Sequence, residues 1–159
     1  MSRTVLDPRV LADPSWWHWA ATVPLLAAHL SGYVGAIQAT LALCAAMAAY
    51  FLARVRRWRP LPVQVRLAYF GWLSVGLLPG MGWMHVVALA GTTAMVVVGY
   101  CPLARMVGLL WFNRSEPLSA GLVWRQVVAA PAGGLFTPRP SAGADRPAAA
   151  CSLGSRRAG

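Results

Sequence analysis

The chain has 159 residues, of which 58% are hydrophobic and 11% charged, with a formal net charge of +10. That length holds one domain, and the charged share is about half that of an ordinary soluble domain, so the chain is too apolar for a water-exposed globular surface. All fourteen basic residues are arginine, gathered in clusters between long uncharged stretches, and only Asp7, Asp13, Glu116 and Asp145 oppose them. Clustering of this kind points to membrane topology and away from nucleic acid, which would call for a basic face along a periodic helix.

Residues 1–14 are expected to form a cytoplasmic leader. They do not read as a removable signal: the leader carries Asp7 and Asp13, three tryptophans crowd the start of the apolar run, and that run continues past signal-peptide length. Forty residues without formal charge then separate Asp13 from Arg54. One helix of that length would run roughly 60 Å, twice the hydrocarbon core, so the stretch must fold back as a hairpin. Ser31, Gly32 and Tyr33 mark the turn, giving helices over residues 15–30 and 34–53. Pro24 falls near the middle of the first and is expected to kink it.

A second charge-free stretch between Arg66 and Arg105 repeats the arrangement. Its turn is Pro79-Gly80-Met81-Gly82, with helices expected over 63–78, where Pro62 sits in a tolerated first-turn position, and 83–101. The small residues Gly35, Ala39, Ala42, Ala46 and Ala49 on the second helix, with Ala90, Gly91 and Ala94 on the fourth, suit close helix packing. Thr40, Thr92 and Thr93 lie deep in the spans and are expected to satisfy themselves on the preceding turn's carbonyl.

Five arginines, Arg54, Arg56, Arg57, Arg59 and Arg66, lie between the second and third helices, while both turns carry no charge. The positive-inside rule makes that connection cytoplasmic, in contact with lipid headgroups, and an even number of spans then puts both ends on the same side. Trp16, Trp17, Trp19, Trp58, Trp83 and Trp111 fall where an aromatic belt would lie. After the fourth span, residues 102–130 read as cytoplasmic interfacial helices. The first covers about 103–112 with Arg105 on its polar face, and the second is capped by Ser115. Residues 131–159, rich in Pro, Gly, Ala, Ser and Arg, read as a disordered tail.

Three side chains stand out chemically. His29 and His85 fall at the outer ends of the first and fourth helices, and two neutral imidazoles facing each other across a bundle can ligate haem or a transition metal. Against that stands the plainer reading of interfacial histidines bonded to water or headgroups; His18, among tryptophans, is read that way, with no ligand role. Cys101 precedes a helix start, where amides favour a reactive thiolate, although a small apolar residue at a helix junction explains it as well. Cys44 reads as packing. Cys44, Cys101 and Cys151 are odd in number and lack ligand spacing, which argues against a disulfide framework or a zinc site.

No Asp, Glu or Lys falls in any predicted span, which disfavours a compact proton-coupled exporter. Nor is there a GxGxxG, P-loop, HExxH or nucleophile-elbow motif. The string Trp16-Trp17-His18-Trp19 before Thr-Val-Pro-Leu-Leu, with Gly99-Tyr100-Cys101, Leu103-Ala104-Arg105 and Asn113-Arg114-Ser115-Glu116-Pro117-Leu118, resembles a group of short uncharacterised proteobacterial integral membrane proteins over about residues 10–130. The Gly-Tyr-Cys-Pro-Leu segment is also similar to the end of the inner-membrane domain attached to some rhodaneses. Neither resemblance implies an activity.

The sequence therefore predicts an all-α protein: a four-helix transmembrane bundle of two hairpins over 15–101, in the bacterial inner membrane with both termini cytoplasmic. The expected partners are membrane lipids and a second copy or another membrane protein, with no nucleic acid. The expected role is a non-enzymatic scaffold or accessory subunit without a cofactor, the alternative being a haem- or metal-binding redox accessory protein using His29 and His85.

Overall fold

The computed structural model describes residue 11, residues 13–57, 60–110, 113 and 117–128; the backbone alone is described at 125. Among the described residues, six helices are delimited: α1 Pro14–Leu30, α2 Ala36–Val55, α3 Leu61–Val75, α4 Trp83–Val98, α5 Pro102–Gly108 and α6 Ala120–Val128. The chain is all-α, with no strand among the described residues.

Local chemistry sets the boundaries. Asp13 caps α1 by accepting from the Ser15 amide at 2.9 Å, with Pro14 in the first turn where a missing N–H costs nothing. The α1–α2 turn uses Gly32 and Gly35 at φ +92° and +99°, a region open to glycine. α1 continues through Pro24 as one helix. α3 ends at Val75, three residues before the expected stop. There Leu77 and Leu78 donate back three residues, to Ser74 and Val75, and tighten the chain into its turn before Pro79. α4 likewise stops early, at a left-handed Gly99 whose amide reaches Ala94 and Met95. α5 is shorter than expected, and α6 starts after Ser119, whose hydroxyl accepts from the Leu122 amide at 3.2 Å. Ser115, Trp58, Trp111, Arg59 and the tail at 131–159 lie outside the described residues.

α1 packs against α2 and α4, α2 against α3, and α3 against α4 and the returning α5. Two contacts fix the α1–α4 register: Trp16 Nε1 donates to the Val96 carbonyl at 3.3 Å, and His29 meets His85 at 3.1 Å. The two helices are therefore antiparallel and level at both ends. That register brings the start of α1, the end of α2, the start of α3 and the end of α4 to one pole of the bundle. Asp13, Arg54, Arg56, Arg57, Arg66 and Arg105 all belong to that pole, and the turns at the other pole carry no formal charge.

An apolar core that includes Leu26, Val65 and Leu73 is interleaved with polar side chains, and large apolar side chains also lie on the surface. Ser15, His18, Thr22, Thr40, Gln64, Arg66, His85, Thr92 and Arg105 are buried, while Trp17, Tyr33, Val34, Leu78, Trp83 and Val86 are more than half exposed. Thr40, Thr92 and Thr93 each donate to the carbonyl four residues back, as expected, and Thr22 does the same. Among the described residues, α2 is the one helix long and apolar enough to cross a membrane by itself; α4 and α5 meet the same criterion only together, across a 99° bend.

Three expectations are corrected by packing. The small-residue stripe on α2 faces outward at Ala39, Ala42, Ala46 and Ala49, and the inner face is Ile37, Thr40, Cys44, Ala48 and Phe51. Trp19 is not part of a belt: it is 2% exposed, with its ring edge-on to Tyr69 at 5.0 Å. His18 is buried beside it, in T-shaped contact at 5.1 Å.

Candidate functional site

The last turn of α1 and the first of α4 carry His29 and His85, and the antiparallel register lays them side by side. His29 Nε2 is 3.1 Å from His85 Nδ1, and the rings meet edge to face with centroids 4.8 Å apart. His85 Nε2 lies 3.0 Å from the Leu73 carbonyl of α3. A carbonyl only accepts, so His85 Nε2 carries the proton and its Nδ1 is a lone pair; His29 Nε2–H is then the donor to it. The chain of bonds runs His29 Nε2–H to His85 Nδ1, and His85 Nε2–H to Leu73 O. Three helices meet at this point. His85 is 2% exposed and His29 partly exposed, so the pair leads from the surface into the interior.

Gly76 makes room for it. A Cβ at that position would stand 2.5 Å from His85 Nε2, closer than any side chain tolerates. The glycine is part of the site because nothing larger lets the imidazole reach Leu73.

The expected juxtaposition of His29 and His85 is present, but it does not fit a shared metal or haem. Metal–imidazole bonds of about 2 Å require both lone pairs to converge on one ion. Here the facing nitrogens hold a proton between them, and the other nitrogen of His85 is committed to Leu73. No third His, Cys, Asp or Glu completes a ligand set among the described residues.

At the charged pole, Arg66 departs from its expected place at the headgroups and is 1% exposed. Helical periodicity gives the reason: Arg66, Tyr69 and Leu73 share one face of α3, and all three are buried. The guanidinium lies 3.5 Å from the Phe51 centroid and 5.7 Å from that of Trp19, donates to the Pro62 carbonyl at 2.9 Å, and bonds Ser15 Oγ. It thereby joins α1, α2 and α3. Arg54, Arg56 and Arg57 are exposed at the end of α2.

Arg105 also turns inward from the polar face expected for it. Its guanidinium stacks 4.5 Å over Tyr100 and donates to the Gln126 carbonyl, while Tyr100 Oη donates to the Val127 carbonyl at 2.9 Å. Cation and phenol thus serve the carbonyl end of α6, the negative end of its dipole.

Beneath the α4–α5 bend lies a cavity of about 100 Å³, bordered among others by Trp19, Tyr69, Trp72, Met95, Cys101 and Met106. The Tyr69 hydroxyl in its wall is bonded to Thr92 at 2.7 Å. Cys101 caps α5, its Sγ accepting from the Ala104 amide at 3.4 Å. A hole with such walls suits hydrocarbon rather than a polar substrate.

Comparison with protein-family models, with curated proteins and with solved structures finds no match to this chain.

Proposed function

We propose that this chain is a small multi-pass membrane protein of the bacterial inner membrane, a non-enzymatic scaffold or accessory subunit with four helices crossing the bilayer and both ends cytoplasmic. One observation carries the reading: Asp13, Arg54, Arg56, Arg57, Arg66 and Arg105 all belong to one pole of a bundle whose flanks are apolar. In water that surface would aggregate; in a bilayer it meets acyl chains, and the arginine pole lies at the cytoplasmic leaflet.

Helix length sets the fit. α1, α3 and α4 have 17, 15 and 16 residues against 20 in α2. At 1.5 Å per residue the shorter ones span about 22 to 26 Å, so the bilayer thins locally or the tryptophan-bearing ends sit within the headgroup region. Exposed Trp17 and Trp83, at opposite poles, suit such interfaces. α5, bent away from α4, then lies along the cytoplasmic face with exposed Met106 turned to lipid. A scaffold works by contact, and the outward alanine stripe of α2 offers backbone-close packing to a partner helix.

Reporter fusions at Gly32, Arg57 and Gly80 test the topology. Cytoplasmic signal at Arg57 with external signal at Gly32 and Gly80 is expected. External signal at Arg57 reverses the orientation, and recovery of the full chain in a soluble fraction removes the membrane reading altogether.

A further inference from the structure

We infer that the His29–His85 pair is a binding site for a single proton, with a second proton acting as the release of the α1–α3–α4 junction. The inference stands on the tautomers fixed by Leu73. In the neutral pair every ring nitrogen is assigned except His29 Nδ1, whose lone pair belongs to the partly exposed ring. A first proton lands there. His29 then holds N–H on both nitrogens and donates a charge-assisted bond to His85 Nδ1, shorter and stronger than the neutral one. The shared proton can cross to His85 Nδ1, leaving His29 Nε2 as acceptor, and the bond survives in either form.

A second proton finds no place. His85 Nδ1 and His29 Nε2 would both carry hydrogen at a separation of 3.1 Å, and two imidazoliums would stand with centroids 4.8 Å apart. The bond is lost and like charges repel, so the junction opens. No neighbouring charge offsets this: α1 has no formal charge after Asp13, α2 none before Arg54, α3 none after Arg66, and α4 none at all. Tyr33 in the α1–α2 turn is the other titratable side chain at this pole, and His18 lies eleven residues back on α1, about 16 Å away. Leu73 O ends the chain of bonds at a backbone carbonyl, so the proton is stored and not passed through.

The side from which the proton arrives rests on the orientation proposed above; the titration does not. A reversed topology would move the site to the cytoplasmic face and leave the titration unchanged.

The test is nitrogen NMR of histidine-labelled full-length protein in detergent micelles from about pH 8 to about pH 4, with signals assigned by single-histidine variants. Both rings should be Nε2–H tautomers at the basic end. The pair should take up protons in two unequal steps, with the melting temperature falling more steeply across the second than across the first. In His29→Ala, a change at a partly exposed helix end, the two-step behaviour of the pair should disappear. Proton uptake by the two rings in unlinked, equal steps in the parent, an Nδ1–H tautomer at His85, or a melting temperature that falls no more steeply with the second proton than with the first would each overturn the inference.

Discussion

The guanidinium carbon of Arg66 lies 3.5 Å from the centroid of the Phe51 ring, a cation from α3 laid on an aromatic face from α2 in the protein's interior. The contact explains how this arginine is tolerated at 1% exposure. Its plane is matched by the ring, and its N–H groups find oxygens at Pro62 and Ser15. Phe51→Leu keeps an apolar side chain but removes the π face, and should cost about 2 kcal/mol, the scale of a desolvated cation–π contact. Denaturant unfolding in detergent measures it. A Phe51→Leu protein as stable as the parent would show that the ring contributes bulk alone.

Two glycines of the α3 region should respond oppositely to one methyl group. A Cβ at Gly76 would meet His85 Nε2 at 2.5 Å, while a Cβ at Gly71, inside α3, meets nothing within 4 Å. Gly76→Ala should lower the melting temperature and shift the His85 resonances, because the imidazole loses its place against Leu73. Gly71→Ala should stabilise by about 0.5 to 1 kcal/mol through helix propensity. Equal effects at the two sites would mean that the His85 pocket is not as tight as its distances indicate.

The helical hairpins were legible because breakers and charge are local signals. Ser31-Gly32 and Pro79-Gly80 mark turns wherever they occur between apolar runs, and the facing of His29 and His85 followed from putting both turns at one level. The inward arginines were harder to read. Counting charge per segment assigns Arg66 to a loop, although its phase with Tyr69 and Leu73, three and seven residues on, places it on the buried face of α3. The outward direction of the α2 alanines was also hidden. Small residues suit close packing on any side, and it is Ile37, Cys44 and Phe51 that fix which side is inner. The tautomers of the histidine pair depend on Leu73, a carbonyl no side-chain pattern announces.

Helix α6 should be held by two side chains from the α4–α5 bend. Arg105 and Tyr100 donate to the Gln126 and Val127 carbonyls, in the last turn of α6, where carbonyls have no donor within the helix. Tyr100→Phe removes one neutral hydrogen bond and should cost about 1 kcal/mol. Arg105→Gln loses the charge at the dipole's negative end and the stack on Tyr100, and should cost about 1 to 2 kcal/mol. Amide exchange over 120–128 should rise in both variants, more in Arg105→Gln, while exchange in α1–α3 stays put. Unchanged protection of α6 in both would show that its apolar face, not this clamp, holds it.

Thiol labelling should separate the two described cysteines. Cys44 is 2% exposed on the inner face of α2, whereas Cys101 is partly exposed at the α4–α5 bend, with its Sγ accepting an amide hydrogen bond from Ala104. Burial obliges Cys44 to wait for local opening, and an opening that costs only about 1.4 kcal/mol already slows reaction tenfold. In a Cys151→Ala background, a maleimide added to inverted membrane vesicles should label Cys101 at least about tenfold faster than Cys44. Cys101→Ala should then remove the fast phase. The direction of access matters as much as the rate, because Cys101 belongs to the arginine pole: fast labelling from the opposite side of the membrane would reverse the orientation proposed above, and equal rates at both thiols would contradict the packing of α2 on α3.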